Sequence, residues 1–306
     1  MREFVLAFKS LDSEVLRARI DRRCIKLKVK IYVISAFCKE NNGGNRAGVV
    51  LFCNELTEEQ KKAISNRLGY AETAFVTKSN QADFRLEYFT PKEEVSLCGH
   101  ATIATFALLK HLTVIVEGEY TIETKAGILS VSIGNDMVLM EQSKPQYFEM
   151  LEKNEVVDCF NMDCISEIYP IQIVSTGLRD IILPIRDEEA LHSMNPNFGS
   201  ISELSRKYDV VGIHAFALSG DRIICRNFAP LYDVPEESAT GTANCALASY
   251  LYKHEIIRKS EYVIEQGHSL NSPSEIIVRL VESDGEISRV FVGGYGCFVK
   301  EMEMEV

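Results

Sequence analysis

The sequence lacks the positive charge that nucleic-acid-binding proteins carry. Its 306 residues contain 33 Lys and Arg against 44 Asp and Glu, so the formal net charge is −11. Binding to a nucleic-acid backbone needs a basic surface, and we expect no nucleic-acid partner. No apolar run reaches the length of a membrane span, and the N-terminus lacks the apolar segment of a signal peptide. We therefore expect a cytoplasmic protein without a membrane partner.

The cysteines lack the spacing of a metal site or a disulfide framework. Nine are scattered along the chain, and no Cys-x-x-Cys pair occurs. Closely spaced pairs are the usual mark of zinc sites and redox motifs. We therefore expect reduced thiols and no bound metal, and no nucleotide-binding motif indicates a cofactor. A chain of this length buries enough apolar surface to fold without crosslinks.

The most informative stretch is Cys98–Leu109. It is apolar or small on nearly every side, which predicts a buried helix that begins at Gly99. His100 lies in the first turn, where unpaired backbone N–H groups favour a small anion. This histidine is either a core residue bonded to a backbone carbonyl or a ligand-binding group. Cys98 is either a base acidified by the helix terminus or a small buried residue.

A second stretch repeats this pattern. Phe89-Thr90-Pro91 precedes the helix that begins at Gly99, and Phe228-Ala229-Pro230 precedes a second helix of small residues, Gly241–Leu251. The shared order of strand, Phe-x-Pro, loop and helix indicates a duplicated domain. Two such halves predict a ligand pocket between them, because domain interfaces are favoured pocket sites.

The repeat divides the chain. Residues 1–30 form a basic N-terminal extension, residues 31–145 a first domain and residues 146–306 a second domain. Ser143-Lys144-Pro145 is the predicted linker. Turn residues separate short β-branched and apolar runs in the first half, which predicts several strands, including one near Thr113–Val116.

Several side chains near these helices are candidates for chemistry. Glu72 lies at a helix-to-strand junction in apolar company, which suits a carboxylate of raised pKa that takes and returns a proton. Alternatively, it lies at the mouth of a loop and points to water. Glu237 is either a partner of the helix dipole or a site residue. Gly241 and Thr242 either offer donors to a carboxylate or simply begin the helix.

From about residue 31 to the C-terminus, the sequence resembles the PhzF-like isomerase family of phenazine biosynthesis. The resemblance covers nearly the whole chain, and its motifs agree in order and spacing. The matching stretches are Ser35-Ala36-Phe37, Gly43-Gly44-Asn45, Ala71-Glu72-Thr73-Ala74-Phe75, Phe89-Thr90-Pro91, Leu97-Cys98-Gly99-His100-Ala101-Thr102, Arg226-Asn227-Phe228-Ala229-Pro230, Glu237-Ser238-Ala239-Thr240-Gly241-Thr242-Ala243, Glu265-Gln266-Gly267 and Gly293-Gly294.

The resemblance implies an α+β fold like that of diaminopimelate epimerase. Two pseudo-symmetric domains would each wrap a β-barrel-like sheet around a central buried helix, with the active site in the cleft between them. The last strand would return to the first domain. The resemblance also implies a cofactor-independent isomerase, typically a homodimer.

The resemblance assigns roles to particular residues. Glu72 would be the proton shuttle, and His100 and Glu237 would hold a small carboxylate-bearing substrate. Backbone N–H groups at Gly99 and Gly241 would bind its acidic group. The sequence departs from the family pattern nearby, with Glu237 for the usual Asp, Thr242 for Ser, Asn244 for His, Ala71 for Ser and Arg46 for Pro.

Two other functions fit the same scaffold. A two-thiol racemase or epimerase would use Cys98, but Thr240 occupies the position of the second cysteine, and its hydroxyl is a very weak acid. A non-catalytic protein that binds a small ligand would explain the departures in the pocket residues.

Overall fold

The computed structural model describes residues 27–160 and 164–306. Most of the predicted N-terminal extension, residues 1–26, lies outside the described residues, and its last residues begin the first strand. The strands are Lys28–Ala36 (β1), Asn45–Val50 (β2), Thr73–Thr77 (β3), Phe84–Phe89 (β4), Glu94–Val95 (β5), Gly118–Thr124 (β6), Gly127–Gly134 (β7), Met137–Gln142 (β8), Gln146–Leu151 (β9), Ile171–Ser175 (β10), Arg179–Pro184 (β11), Gly212–Ser219 (β12), Arg222–Ala229 (β13), Val234–Glu237 (β14), Glu261–Gln266 (β15), Ser274–Ser283 (β16) and Glu286–Glu305 (β17).

In the described ranges, short loops and six α-helices connect these strands. The helices are Glu58–Leu68 (α1), Gly99–His111 (α2), Lys153–Val156 (α3), Glu188–Ser193 (α4), Phe198–Tyr208 (α5) and Gly241–Lys253 (α6), with single 3-10 turns at Val157–Cys159, Pro230–Tyr232 and His268–Leu270. Among the helices of the described ranges, none is long and apolar enough to cross a membrane.

The first half of the chain forms a closed barrel, here called barrel 1. Its strands pair in the order β1-β2-β3-β4-β6-β7-β8, and β17 closes the ring by pairing with both β8 and β1. The pairs β2–β3 and β4–β6 are parallel and the others are antiparallel. Helix α2 runs through this barrel, where nine of its residues are buried.

The second half repeats this strand order as a barrel-like sheet, here called barrel 2. Its strands pair in the order β10-β11-β12-β13-β15-β16-β17, and β11–β12 and β13–β15 are again the parallel pairs. Strand β9 adds to β10 and follows β8 after a gap at residues 143–145, where the predicted linker lies. Helix α6 fills this barrel as α2 fills barrel 1. The predicted α+β fold of two barrels around two buried helices is confirmed.

Strand β17 belongs to both barrels. Its first half pairs with β16, its middle pairs with β8, and its last residues, Gly296–Glu305, pair with β1. The two barrels are therefore joined by continuous backbone hydrogen bonding as well as by the packed core around α2 and α6.

Two sequence-based expectations are wrong. No strand forms at Thr113–Val116, because the chain turns there after α2 and Thr113 adopts a left-handed backbone conformation with φ 56°. The expectation of reduced thiols fails for Cys38 and Cys297, which the structure pairs as a disulfide across 259 residues. The described cysteines other than this pair are free and buried.

Candidate active site

Three of the predicted site residues meet where the two barrels face each other. Glu72 immediately precedes β3, His100 lies in the first turn of α2, and Glu237 ends β14. The Oε2 atom of Glu72 lies 3.3 Å from Nε2 of His100, and Oε1 of Glu237 lies 4.0 Å from its Nδ1. The histidine therefore stands between a carboxylate of barrel 1 and a carboxylate of barrel 2.

The exposure of these side chains shows a cleft rather than a sealed core. The side chain of His100 is 6% exposed, whereas those of Glu72 and Glu237 are 21% and 23% exposed. Because the two carboxylates are more exposed than the imidazole between them, a small molecule that enters the cleft contacts the carboxylates first.

Burial sets the protonation states in the cleft. It raises the pKa of Glu72, and a hydrogen bond from Cys98 opposes that shift. Burial also raises the pKa of Glu237, while the neighbouring His100 is the largest opposing influence. Burial lowers the pKa of His100, so the imidazole is favoured in its neutral form. A carboxylate of raised pKa next to a neutral imidazole suits proton transfer near neutral pH.

Glu237 is held by donors from both barrels. Asn45, the first residue of β2, donates from Nδ2 to Oε1 of Glu237 at 2.8 Å and to the backbone carbonyl of Ala239 at 3.1 Å. The Thr240 hydroxyl donates to the other carboxylate oxygen at 2.5 Å. The orientation of Glu237 is thus fixed from two sides.

A network of buried side-chain amides supports the backbone of Glu237 and Thr240. Gln266 donates to the Glu237 carbonyl at 2.8 Å and accepts from the Thr240 N–H at 3.1 Å. Asn244 donates to both the Thr240 carbonyl and the Gln266 side chain at 2.8 Å. The Gln266 amide thus both donates and accepts, while the Asn244 amide donates twice and its oxygen accepts from the Cys225 thiol at 3.4 Å.

Both helix N-termini lack a side-chain cap. Cys98 and Thr240 are the N-cap residues, both have extended backbone conformations, and neither makes a side-chain capping bond. The first N–H groups of α2 and α6, from Gly99 and Gly241 onward, therefore remain available to an anion. A Cβ atom on Gly99 would meet nothing within 4 Å, which leaves open space beside this helix end.

Thr242 is the second residue of α6. Its backbone carbonyl accepts a 3.0 Å hydrogen bond from Thr176, which ties α6 to the loop after β10.

Cys98 lies in the site, but its environment disfavours the thiolate. Its Sγ atom is 3.4 Å from Nδ1 of His100. Burial raises the pKa of the Cys98 thiol well above its usual range, and the nearby charge of Glu72 adds to the effect. The reactive form of a cysteine is the thiolate, so this thiol is a poor base.

Glu72, Cys98 and His100 also form a group with possible ligand atoms for a cation. One atom of each lies within 4.8 Å of the others. Oxygen, nitrogen and sulfur donors together suit zinc, but metal binding requires the deprotonated thiol.

The two barrels are not chemically symmetric at the cleft. In barrel 1, Thr73 pairs with Phe89, and in barrel 2, Ile213 pairs with Phe228. The two phenylalanines begin the repeated Phe-x-Pro motif, so Thr73 and Ile213 occupy equivalent positions. The preceding residues, Glu72 and Gly212, are therefore equivalent as well.

No side chain fits at Gly212. A Cβ atom there would lie 1.9 Å from the backbone oxygen of Phe228. Barrel 2 therefore has no counterpart of Glu72, just as Thr240 replaces the cysteine found before α2. A symmetric pair of bases, one from each barrel, is absent from these equivalent positions.

A surface cavity of about 490 Å³ lies beside the cleft. Its lining includes Asn45, Ala71 and Ser238, each next to or in contact with a site carboxylate, but not the carboxylates themselves. Gly43 and Gly44 form one wall with positive φ angles of 65° and 80°, and a Cβ on Gly43 would lie 1.9 Å from the Pro273 oxygen. The cavity is therefore adjacent to the site residues and is bounded by a tight glycine turn.

Local sequence reasoning missed the residues that support the site. Asn45 and Gln266 belong to stretches of the family resemblance, yet nothing in their own surroundings shows that they bind Glu237 or Thr240. Residues such as these contact partners far along the chain, and only the strand register brings them together.

Comparisons with known proteins agree with this fold. The family model described as phenazine biosynthesis-like protein matches residues 34–302. A protein of Deinococcus radiodurans named as an isomerase is 33% identical over 287 residues, which cover 88% of this chain and 92% of that protein. The trans-2,3-dihydro-3-hydroxyanthranilate isomerase of Pseudomonas aeruginosa is 25% identical over 276 residues, covering 88% and 96%.

Solved structures show the same architecture. The PhzF-family protein of Bacillus anthracis has a TM-score of 0.85 at 28% identity, covering 92% of this chain and all of that one. A hydroxyproline epimerase of Agrobacterium vitis shares the fold with a TM-score of 0.58 at 11% identity, covering 91% of each chain.

Fold and relatives together define an isomerase built on the scaffold that epimerases and racemases also use. The chain belongs to the phenazine biosynthesis-like family, also called the PhzF family.

Proposed function

We propose that this isomerase moves a proton within a small carboxylate-bearing metabolite without a cofactor, and that Glu72 carries the proton. The observation that supports this most directly is the placement of Glu72. It is a partly exposed carboxylate of raised pKa, 3.3 Å from a buried neutral histidine, in a cleft that two uncapped helix ends border.

The proposed reaction has two proton transfers. The Glu72 carboxylate takes a proton from a carbon next to an unsaturated or carboxylate-bearing group, and the electron pair of that C–H bond moves into the conjugated system. The resulting Glu72 carboxylic acid returns the proton to another carbon of the same molecule. Enclosure between the barrels limits exchange of this proton with water.

Other residues hold the substrate in this proposal. Backbone N–H groups at the start of α2 and α6, from Gly99 and Gly241, bind the substrate carboxylate. Neutral His100 and Glu237 form hydrogen bonds to its polar groups, and Thr242 shapes the α6 side of the site. A homodimer, which the resemblance implied, is part of the same proposal and is checked by sedimentation.

The first compound to test comes from a relative. The Pseudomonas aeruginosa protein is named for trans-2,3-dihydro-3-hydroxyanthranilate, a ring that has both unsaturation and a carboxylate. The departures at Glu237 and Thr242 lead us to expect a different substrate of the same class, so unsaturated cyclic and acyclic carboxylates belong in the same screen.

The test is solvent exchange at carbon. Each carboxylate is incubated with the enzyme in D₂O, and proton NMR follows deuterium entering C–H positions or a change in the double-bond pattern. Glu72→Gln keeps the size of the side chain and is expected to reduce turnover by about a hundredfold or more. Glu93→Gln, a change at an exposed glutamate, is the matched control and is expected to leave turnover unchanged.

Three results would overturn the proposal. Full turnover by Glu72→Gln would remove Glu72 as the proton carrier. Exchange that Cys98→Ala abolishes and Glu72→Gln does not would indicate thiol chemistry. Tight binding of a carboxylate without exchange or isomerisation of any tested compound would indicate a non-catalytic binding protein.

A further inference from the structure

A second buried carboxyl group lies near the cleft on the side of barrel 2. Asp180 is the second residue of β11 and pairs with Gly212 on β12. Ile182 lies two residues further along β11, and Val174 lies opposite Asp180 on β10. Both belong to the core around α6. Since alternate residues of a strand face opposite sides of the sheet, Asp180 points into barrel 2.

The strand register places Asp180 beside Gly212, the barrel 2 position that corresponds to Glu72 of barrel 1. Gly212 is the barrel 2 equivalent of Glu72 and has no room for a side chain. Asp180 is its cross-strand partner, on the adjacent strand and facing the barrel interior. Barrel 2 thus has the carboxyl group of Asp180 one strand away from the position that corresponds to Glu72.

Asp180 has unusually few partners for a buried acid. The residue is 2% exposed, and its Oδ1 atom makes no hydrogen bond to any part of the chain that the structure describes. On β12, Nε2 of the fully buried His214 is likewise unpartnered within the described ranges. A buried carboxylate without donors or a nearby cation is costly, and a neutral acid is favoured there.

The ionisable groups around Asp180 offer it no positive charge. His214 on β12 is buried, and burial lowers its pKa to about 4, so it is neutral. Glu237 on β14 is an acid, and Cys225 on β13 and Cys245 on α6 have thiol pKa values raised by burial. No ionisable side chain lies on β10, which is Ile171–Ser175. Burial raises the pKa of Asp180 to about 8, and the charge of Glu237 adds to this shift.

We propose that Asp180 is a positioning residue that lies as a neutral carboxylic acid beside Gly212, at the barrel 2 position that corresponds to the Glu72 region, and that its ionisation prevents an anionic ligand from binding in the cleft. With Asp180 neutral, barrel 2 adds no charge at this position to that of Glu237. Once Asp180 loses its proton, a second negative charge appears in the same low-dielectric region. Its repulsion of Glu237 and of the incoming carboxylate opposes binding.

The inference rests on the proposed function, because it assumes that the cleft binds a carboxylate. The test uses benzoate as the probe, and isothermal calorimetry measures its dissociation constant from pH 6.5 to 9.5. For the wild-type protein, we expect a constant value below about pH 7.5 and a rise of about tenfold for each pH unit well above 8. Asp180→Asn keeps the shape but cannot ionise, and we expect less than a twofold change across the range.

Two further variants complete the test. Asp221→Asn, at an exposed aspartate, is the matched control and should keep the wild-type pH dependence. Glu237→Gln removes the charge that adds to the Asp180 shift, so the midpoint of the wild-type transition should move to lower pH. This second result tests the inference even if Asp180→Asn does not fold.

Several outcomes would overturn the inference. A wild-type dissociation constant that does not rise above pH 8, or an unchanged rise in Asp180→Asn, contradicts the role of Asp180. An unmoved midpoint in Glu237→Gln contradicts the coupling between the two acids. Failure of benzoate to bind at pH 6.5 contradicts the anion site itself. Glu72→Gln separates this inference from the proposed reaction, because it should abolish proton exchange yet keep the pH dependence of binding.

Discussion

Removal of the Asn45 side chain should weaken the connection between the two barrels and the orientation of Glu237 together. The amide of Asn45 donates one hydrogen bond to the Glu237 carboxylate at 2.8 Å and one to the Ala239 carbonyl at 3.1 Å. The two acceptors, Glu237 and Ala239, lie 192 and 194 residues after Asn45 in the chain. In Asn45→Ala, both acceptors lose this donor inside a region where Asn45 itself is 8% exposed.

The expected magnitude follows from the two bonds. A hydrogen bond to a charged acceptor contributes about 1.5–3 kcal/mol and one to a neutral carbonyl about 0.5–1.5 kcal/mol. The free energy of unfolding should therefore fall by about 2–4 kcal/mol. The Glu237 carboxylate also loses a donor that favours its charged form, so its pKa should rise further.

Urea denaturation followed by circular dichroism measures this change. Asn42→Ala is the matched control, because Asn42 is an exposed asparagine of the same loop whose amide makes only a 3.4 Å contact with the Glu40 carbonyl. A loss below about 0.5 kcal/mol in Asn45→Ala, or an equal loss in Asn42→Ala, would refute the reasoning that Asn45 joins the barrels.

Three other changes have predictable outcomes. Glu236→Gln breaks a buried bidentate pair between Glu236, whose side chain is 10% exposed, and Arg226, whose side chain is 8% exposed. In urea denaturation, the free energy of unfolding should fall by about 3 kcal/mol or more. Glu301→Gln breaks an exposed pair and should lower it much less. Gly44→Ala should lower the melting temperature in calorimetry, because the residue has φ 80° and a Cβ would lie 2.4 Å from a backbone oxygen. An acid whose pKa is raised on folding destabilises the native state as pH rises from its unfolded to its folded value. Thermal unfolding should therefore show wild-type stability falling relative to Asp180→Asn between about pH 4 and pH 8, and parallel curves would contradict this.

Local patterns predicted the parts of the fold that depend on neighbours in sequence. The small-residue helices at Gly99 and Gly241 could be recognised because a helix without a polar face must be buried. The capping box of α1 likewise depends only on neighbours in sequence, because Thr57 and Gln60 are three residues apart. The place of His100 in the first turn of such a helix left two interpretations open, and the family resemblance assigned it to the site.

Features that depend on register could not be predicted in the same way. Three such features involve residues that are far apart in sequence. They are the Asn45 contact with Glu237, the disulfide between Cys38 and Cys297, and the position of Asp180. Nothing in the residues beside them indicates the partner, because pairing of strands across two barrels decides which side chains meet. The family resemblance supplied the order of the motifs, but not these contacts.

The central claim is that Glu72 carries the proton from one carbon to another. Its most direct test uses a substrate labelled with deuterium at the carbon that loses its proton, with turnover in ordinary water. We expect the product to retain part of the deuterium at its new position, and Glu72→Gln to lose turnover by about a hundredfold or more. A product without deuterium, formed at the same rate by the wild-type protein and by Glu72→Gln, would contradict the claim.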